Sequence, residues 1–184
     1  MARSAAASAS SPLPRIRVLA TGGTIAGAQT SGTGRGYQSA KFSIDALIAA
    51  VPQLSALARV DVEQVAALGS QDMNEAVWLK LAARTSAALA LPDHVAAVVT
   101  HGTDTMVETG RVLKQRLTDL IHPVILTGAM TPLGFERSDG LQNLTESLFA
   151  ARTLTRGVWI VIHGQVFDVD HVRKDRERAR FMAT

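Results

Sequence analysis

Apolar runs alternate with segments of helical periodicity along most of the chain. Short runs rich in valine and other apolar residues predict strands at residues 15–20, 59–66, 94–100, 123–127 and 158–163. Between them, apolar residues at helical spacing predict helices at residues 43–51, 74–90, 105–117 and 138–153. The alternation predicts a single-domain, three-layer α/β/α sandwich with a mostly parallel, flavodoxin-like sheet.

Two segments depart from this alternation. Residues 27–36 form a polar, glycine-rich run that ends at Tyr37, the only tyrosine of the chain, and this run predicts a flexible loop. Near the other end, a hairpin turn at Gly164 is predicted to lead into one more short strand, before a charged end. Three apolar residues indicate that strand: Val166, Phe167 and Val169.

The composition is that of an ordinary globular protein. Of the 184 residues, 47% are hydrophobic, yet no apolar run approaches the roughly 18 residues that a membrane helix needs. The chain has no cysteine, which excludes a disulfide framework and a thiolate metal site. Residues 1–14 lack the continuous apolar core of a secretory signal, so we expect a flexible tail on a soluble, cytoplasmic protein with no membrane partner.

A basic cluster near the end of the chain raises the question of a nucleic-acid partner. Its five cations are Arg173, Lys174, Arg176, Arg178 and Arg180. The net charge is only +3, two acidic residues interrupt the cluster, and no aromatic stacking pattern accompanies it. We therefore favour a solvated, salt-bridged end over phosphate binding and expect no nucleic-acid partner.

Two glycine-marked turns carry threonines where parallel strands are predicted to end. Thr24 follows the first strand in ATGGTIAG, and Thr103 follows the third strand in THGTDT. The carboxyl ends of parallel strands line the ligand crevice of an open α/β sheet, so two hydroxyls in one crevice indicate covalent acyl transfer. The alternative is that each threonine only caps or closes a turn.

The first turn has the outline of a dinucleotide-binding fingerprint, but two features speak against that function. Thr24 stands at the second glycine position, where a side chain would collide with a pyrophosphate, and no helix follows to receive the phosphates. A phenol on a loop beside a hydroxyl can instead move a proton during acyl transfer. Tyr37 is therefore a candidate partner of Thr24.

The second turn lies at a predicted junction between a strand and a helix. Thr103 and Asp104 are ordinary capping residues, but one cap suffices, and the free N–H groups of a helix start can also hold an oxyanion. Lys174 is one of four lysines. A buried lysine beside other cations can act as a base, whereas a surface charge is the simpler interpretation of Lys174.

A group of histidines and aspartates near the end of the chain could be considered as metal ligands. The four residues are His163, Asp168, Asp170 and His171. Their spacing matches no standard metal site, and a histidine at a strand end more often has a hydrogen-bonded structural role. We therefore expect no metal.

Together these motifs resemble those of the bacterial-type L-asparaginases, a family that also includes glutaminase-asparaginases and an amidotransferase subunit acting on misacylated tRNA. The similar segments follow one another through nearly the whole chain after Pro14. They are ATGGTIAG at 20–27, GSQDMN at 69–74, THGTDTM at 100–106, LTGAM at 126–130, SDG at 138–140 with Asn143, and residues 166–174. The first and third segments are highly specific, which excludes chance agreement.

The resemblance implies hydrolysis of L-asparagine to L-aspartate and ammonia through an acyl-enzyme intermediate, without a metal or organic cofactor. By position, Thr24 is the implied threonine nucleophile, assisted by Tyr37. Thr103, Asp104 and Lys174 are implied to form a second proton-handling group, in which Lys174 serves as the base for Thr103.

The resemblance also implies a set of substrate-binding residues. Ser70 and Gln71, with Asp104, would hold the α-carboxylate and α-amino groups, and the backbone at Thr103 and Ala129 would line the amide end of the substrate. The complete implied set is Gly23, Ser70, Gln71, Thr103, Asp104 and Ala129.

The departure from the family pattern is length. Typical members add a smaller second α/β domain, and a neighbouring subunit completes the contacts to the substrate's amino group. We therefore expect residues 15–184 to be an N-terminal-type catalytic domain of a short enzyme, with the family's second domain absent. Another copy of the chain, in a dimer or tetramer, is expected to close the site.

Three alternative functions stay open. The chain could be a broader enzyme that also hydrolyses glutamine, an amidotransferase component, or a noncatalytic amino-acid-binding relative. The joint presence of Thr24, Thr103, Asp104 and Lys174 favours an enzyme, because a pure binding protein does not need them.

Overall fold

The computed structural model of the protein describes residues 13–23, 25, 28–29, 37–38, 48, 52–132 and 137–184. The strands among these residues are β1 (Arg15–Gly22), β2 (Ala28–Gln29), β3 (Tyr37–Gln38), β4 (Arg59–Leu68), β5 (His94–Thr100), β6 (Pro123–Thr127), β7 (Gly157–Ile162), β8 (Gln165–Asp168), β9 (Val172–Asp175) and β10 (Arg180–Ala183). The α-helices with described ends are α1 (Glu75–Leu89), α2 (Met106–Arg116) and α3 (Gly140–Ala150).

The predicted strands and helices are confirmed wherever the structure describes them. The ends of the five long strands agree with the prediction to within two residues. Of the helix predicted at residues 43–51, only Ile48 is described, and its backbone is helical. Residues 1–12 of the predicted tail and most of the predicted loop at 27–36 lie outside the described residues.

The main sheet of the described chain has six strands in the order β4-β1-β5-β6-β7-β8. The first five of these strands run parallel, and β8 pairs antiparallel with β7. Counted along the chain, the parallel strands have the order 2-1-3-4-5. This is the flavodoxin-like order, so the predicted fold class is confirmed.

Helices cover both faces of the sheet because the central strands are apolar on both faces. Leu81 of α1 and Leu113 of α2 pack with Val99 in one buried cluster. On the opposite face, Leu144 of α3 packs with Val98. No helix within the described ranges is long and apolar enough to cross a membrane.

The turn between β7 and β8 confirms the predicted hairpin. Ile162 pairs with Gln165, so the connecting turn consists of His163 and Gly164. Both residues have positive φ angles, 53° and 71°, as a type I′ turn requires. Gly164 adopts this conformation without steric cost, whereas His163 is held there by hydrogen bonds described below.

The arginines of the charged end are exposed, as its composition predicts, but the segment also contributes apolar residues to the core. β9 and β10 form an antiparallel hairpin in which Lys174 pairs with Phe181. Val172 and Phe181 are buried and join the core cluster under α1 and α2. The apolar residues of this segment therefore anchor it, although arginines alternate with them in sequence.

Candidate active site

The two glycine-marked turns meet at the carboxyl ends of β1 and β5. Gly23 has a φ of +79°, and a Cβ built at this position would lie 2.4 Å from the backbone nitrogen of Gly102. The N–H of Gly23 also donates to the carbonyl of Leu68, at 2.9 Å. Only a glycine fits this contact, so the sequence prediction of one shared crevice is confirmed for the backbone of the two turns.

We expect the substitution Gly23→Ala to lower the free energy of unfolding by about 3 kcal/mol, because it combines a positive φ with a backbone clash. Gly164→Ala is the matched control, since its φ is +71° but the nearest atom to a new Cβ is 3.9 Å away. The control should lose only about 1 kcal/mol. Urea unfolding measures both losses, and equal losses would contradict the close packing of the two turns.

Lys174 reaches from β9 to the second turn. Its Nζ donates to Thr103 Oγ1 at 2.8 Å and to Asp104 Oδ1 at 2.6 Å. The Lys174 side chain is 13% exposed and that of Asp104 is 59% exposed. Lys174 is therefore not a free surface charge, and the structure joins the three residues that the resemblance groups together. The charged group that Lys174 contacts is the carboxylate of Asp104, and not one of the neighbouring cations in the sequence.

The hairpin explains how Lys174 comes to face Thr103. Side chains two residues apart on a strand share a face, and Val172, two residues before Lys174, is buried. Asp175 closes the turn of the hairpin by accepting from the backbone N–H of Arg178 at 3.1 Å and from its guanidinium at 3.0 Å. These bonds hold the pKa of the Asp175 carboxyl below its ordinary value.

Neither Thr103 nor Asp104 caps α2, which corrects the capping interpretation. Thr105 occupies the N-cap position, but its hydroxyl donates to the carbonyl of Ser70 at 2.7 Å instead of capping the helix. The backbone N–H of Asp104 in turn donates to the Ser70 hydroxyl, at 3.3 Å. The hydroxyl of Thr103 accepts from Lys174.

The structure also brings the candidate substrate-binding residues Ser70 and Gln71 to this crevice. Ser70 is buried against Gly102, where an added Cβ would lie 2.7 Å from the Ser70 hydroxyl. Gln71 is exposed and lines a cavity of about 380 Å³ beside the lysine. The residues that line this cavity are Gln71, Asp104, Thr105, Lys174, Arg176 and Ala179.

The loop after β6 forms the third side of the crevice and carries Ala129. Ala129 is fully buried, and a Cβ at Gly140 would lie 3.4 Å from its Cβ and 3.1 Å from Ile25. Gly128 lies close to the second turn: a Cβ built at Gly128 would be 2.3 Å from the carbonyl oxygen of His101. Ile25, which follows Thr24 in sequence, therefore lies beside the same loop.

The pattern of these segments matches a known family over almost all of the chain. The family model for the asparaginase N-terminal domain matches residues 15–181. The chain belongs to the asparaginase family.

Individual relatives agree with the family assignment. A probable periplasmic L-asparaginase of Haemophilus influenzae is 41% identical over 165 residues, covering 88% of this chain and 46% of the relative. L-asparaginase 2 of Escherichia coli is 42% identical over 165 residues, covering 88% and 47%. The solved structure of a probable cytoplasmic L-asparaginase from Campylobacter jejuni superposes with a TM-score of 0.77 at 35% identity, covering 88% and 48%. The chain thus spans about half the length of the relatives that it matches.

Two predicted site residues of this asparaginase-family chain are not described at the level of the side chain. Thr24 lies outside the described residues, between Gly23 and Ile25, which are described. Tyr37 is described only through its backbone, which pairs with Gln29 in the short β2–β3 ladder. Their roles stay predictions.

The carboxylate of Asp139, a residue whose motif predicts no role for it, holds the loop of Ala129. Asp139 Oδ1 accepts from the backbone N–H of Thr131 at 2.9 Å, and Oδ2 accepts from that of Met130 at 3.1 Å. Asn143 Nδ2 donates to Asp139 Oδ2 and to the carbonyl of Gly128, both at 2.9 Å. The signal in the sequence was a polar pair one helical turn apart at the start of a mostly apolar helix, with Asp139 at the N-cap and Asn143 in the first turn.

His163 completes this network from the β7–β8 turn. Its Nε2 lies 2.7 Å from Asp139 Oδ2, and its backbone N–H donates to Asn143 Oδ1 at 2.9 Å. The predicted structural role of His163 is therefore confirmed. Asp168 and Asp170 contact Lys114 instead, at 3.5 and 2.6 Å.

The pKa of Asp139 lies below its ordinary value. Burial acts in the opposite direction, but the hydrogen bonds from Thr131, Met130 and His163 outweigh it. The folded state therefore favours ionised Asp139 more than the unfolded state does. This contribution to stability is present above the ordinary pKa of 3.8 and is lost as the pH falls through the lower folded value.

Asp139→Asn should lower the free energy of unfolding by about 2 kcal/mol at neutral pH, because an amide N–H₂ would face groups that are themselves donors. The difference in the free energy of unfolding between the variant and the unmodified protein should shrink below pH 4, as Asp139 becomes protonated. Urea unfolding at a series of pH values measures this. Asp119→Asn serves as control, since exposed Asp119 accepts only one long hydrogen bond from the part of the chain that the structure describes, 3.5 Å from Thr118. A deficit that stays constant at all pH values would contradict the role of the ionised carboxylate.

Proposed function

We propose that this chain catalyses the hydrolysis of L-asparagine to L-aspartate and ammonia through a threonine nucleophile and an acyl-enzyme intermediate. The observation that carries the proposal is the contact of Lys174 Nζ with Thr103 Oγ1 and Asp104 Oδ1, at 2.8 and 2.6 Å. A lysine, a hydroxyl and a carboxylate in direct contact at strand ends form a proton-handling group, which a binding protein does not need. Membership of the asparaginase family and the L-asparaginase relatives support the substrate.

In the proposed reaction, Thr24 Oγ1 attacks the side-chain amide carbon of asparagine, and Tyr37 takes the hydroxyl proton while its own phenol proton passes to the amide nitrogen. The tetrahedral intermediate expels the amide nitrogen, which leaves as ammonia after it receives a proton, and an aspartyl ester of Thr24 remains. Water then hydrolyses this ester, which releases aspartate and restores the threonine. Gly23 packs against Gly102, and Thr24 directly follows Gly23 in sequence. This position supports a role for Thr24 in the crevice.

Thr103, Asp104 and Lys174 are proposed to supply and remove protons during this reaction. During hydrolysis of the ester, Thr103 takes a proton from the attacking water while it passes its own hydroxyl proton to Lys174, and the carboxylate of Asp104 stabilises the ammonium ion that results. The proton returns by way of Thr103 to the departing oxygen of Thr24. The contact of Lys174 with Asp104, whose side chain is 59% exposed and lines the cavity, supports this exchange. Both threonines then serve one reaction from two turns.

Substrate recognition is proposed for the residues around the cavity. The Ser70 hydroxyl and the Gln71 side chain would hold the α-carboxylate, and Asp104 would hold the α-ammonium group. The backbone of Thr103 and Ala129, with Gly23, would line the amide end. The shared cavity of Gln71, Asp104 and Lys174 supports this arrangement.

A second copy of the chain is proposed to close the site in a dimer or tetramer. The Asp104 side chain is 59% exposed, which supports this assembly. The attraction between the Asp104 carboxylate and a bound ammonium group becomes stronger when a second copy excludes water from the site. Light scattering under assay conditions tests it. A fully active monomer would contradict the assembly and leave the chemistry standing.

A cytoplasmic location is proposed as well. The probable cytoplasmic L-asparaginase from Campylobacter jejuni supports it, whereas the probable relative from Haemophilus influenzae is periplasmic. Fractionation of the native host, followed by detection of the chain beside a periplasmic marker, separates the two locations.

The proposed activity is tested by coupled ammonia release from L-asparagine, L-glutamine and the two D-isomers. We expect release from L-asparagine by the chain alone. Comparable release from L-glutamine would assign a broader amidase, and release only with an added partner would assign an amidotransferase component. Calorimetric binding of asparagine without ammonia release at any pH would overturn the proposal in favour of an amino-acid-binding protein.

A further inference from the structure

A buried series of hydrogen bonds connects α1 and α2 to the turn that carries Thr103. Trp78 Nε1 donates to Thr109 Oγ1 at 2.9 Å, and Thr109 Oγ1 lies 3.1 Å from His101 Nε2. His101 Nδ1 lies 2.7 Å from the carbonyl oxygen of Gly102. The side chains of His101 and Thr109 are fully buried. The proposed reaction uses none of these three side chains.

The direction of each hydrogen bond follows from the chemistry of the groups. A carbonyl oxygen only accepts, so the proton of the His101 ring is on Nδ1. Burial lowers the pKa of His101 to about 4, so at neutral pH the ring is neutral and its Nε2 is an acceptor. The hydroxyl of Thr109 gives its one proton to Nε2 and accepts from the indole N–H of Trp78. Every polar atom of the series is thereby satisfied.

The end point of the series is a peptide group next to the proton-handling residues. The carbonyl of Gly102 belongs to the same planar unit as the backbone N–H of Thr103, so fixing one fixes the other. The backbone of His101 is held from the other side, because its N–H donates to the carbonyl of Thr127 at 2.8 Å. Gly102 has no side chain of its own to hold this peptide in place.

We propose that His101, Thr109 and Trp78 are positioning residues. Their hydrogen bonds set the orientation of the peptide between Gly102 and Thr103, which directs the Thr103 hydroxyl towards Lys174. The kinetic part of this inference rests on the proposed amidase function. The hydrogen-bonded series itself does not, and it can be measured separately.

The kinetic test compares Thr109→Val with Thr109→Ser. Valine keeps the shape of threonine without the hydroxyl, and we expect kcat for ammonia release from L-asparagine to fall about tenfold with little change in KM. Serine keeps the hydroxyl and should restore kcat to within about threefold. Trp78→Phe removes only the first donor, should lower kcat about threefold, and tests the same series if the valine variant does not fold.

Thr85→Val is the matched control. Thr85 is also a fully buried helical threonine, and its hydroxyl donates to the carbonyl of Leu81 at 2.8 Å, away from the turn. Its loss should change kcat less than twofold. The inference is overturned if both valine variants lose kcat equally, or if Thr109→Ser is as slow as Thr109→Val.

Nitrogen NMR of the histidine ring tests the series without any activity. We expect His101 to carry its proton on Nδ1, and the Nε2 resonance to shift in Thr109→Val but not in Thr85→Val. A ring protonated on Nε2, or a resonance that does not respond to Thr109→Val, overturns the inference. If the unmodified protein releases no ammonia, the proposed function fails, and this spectrum alone decides whether the series exists.

Discussion

Replacement of Lys174 by methionine is expected to lower kcat for ammonia release from L-asparagine by about 10³-fold at neutral pH. Methionine fills the same path from β9 but cannot accept or donate the proton that Thr103 exchanges. The Nζ that is lost lies 2.8 Å from Thr103 Oγ1 and 2.6 Å from Asp104 Oδ1. Steady-state kinetics across a range of pH measures the effect, and an unchanged pH–rate profile would return Lys174 to the role of a structural charge.

Two further variants separate the possible reasons for such a loss. Lys114→Met removes a lysine whose Nζ contacts Asp170 at the same distance, 2.6 Å, but at a site outside the crevice. It should leave kcat within about twofold, because an exposed ion pair contributes little. Lys174→Arg keeps the positive charge and cannot act as a base. Recovery of kcat in the arginine variant would contradict proton transfer and assign an electrostatic role instead.

Thr24→Ala is expected to abolish turnover, with a loss of at least about 10⁴-fold in kcat, because no acyl-enzyme can form without the hydroxyl. The melting temperature should change little, since one hydroxyl contributes at most about 1 kcal/mol. Rapid-quench experiments with mass spectrometry provide the second readout. The unmodified protein should accumulate an adduct of the aspartyl group on Thr24, and the alanine variant should not.

Thr24→Ser is the matched variant for the nucleophile. Serine retains a hydroxyl at the same position, so we expect measurable turnover and the same adduct. If Thr24→Ala kept a rate near that of the unmodified protein, the nucleophile would have to be another residue, and Thr103→Val would become the decisive variant. The serine variant thus distinguishes loss of the hydroxyl from disturbance of the turn.

Much of the fold was predictable from the chain alone, and the reason is local. The strands at 94–100 and 123–127 are continuous apolar runs between polar turns, and their bounds agree with the structure at both ends. The β7–β8 hairpin was predictable because Gly164 supplies a positive φ between two short apolar segments. In these cases the neighbouring residues specify the conformation without distant contacts.

The site was predictable only in part. Motif similarity suggested that Thr103, Asp104 and Lys174 act together, but the interpretation of Thr103 and Asp104 as caps was equally open. The structure decides this point because the N-cap of α2 is Thr105, and the Thr103 hydroxyl accepts from Lys174, 71 residues away in sequence. A contact between segments so far apart leaves no periodic signal in either of them.

The sequence by itself determined the succession of strands and helices along the chain, the positions of the two glycine-marked turns, and the family to which the chain belongs. Only the tertiary structure decided that a charged segment folds as a hairpin, with Phe181 buried, and that Lys174 points inward to Thr103. It also decided that Asp139 holds the loop of Ala129. Turns and apolar runs are local properties of the chain, whereas the partner of a charged side chain depends on which distant segments the sheet brings together.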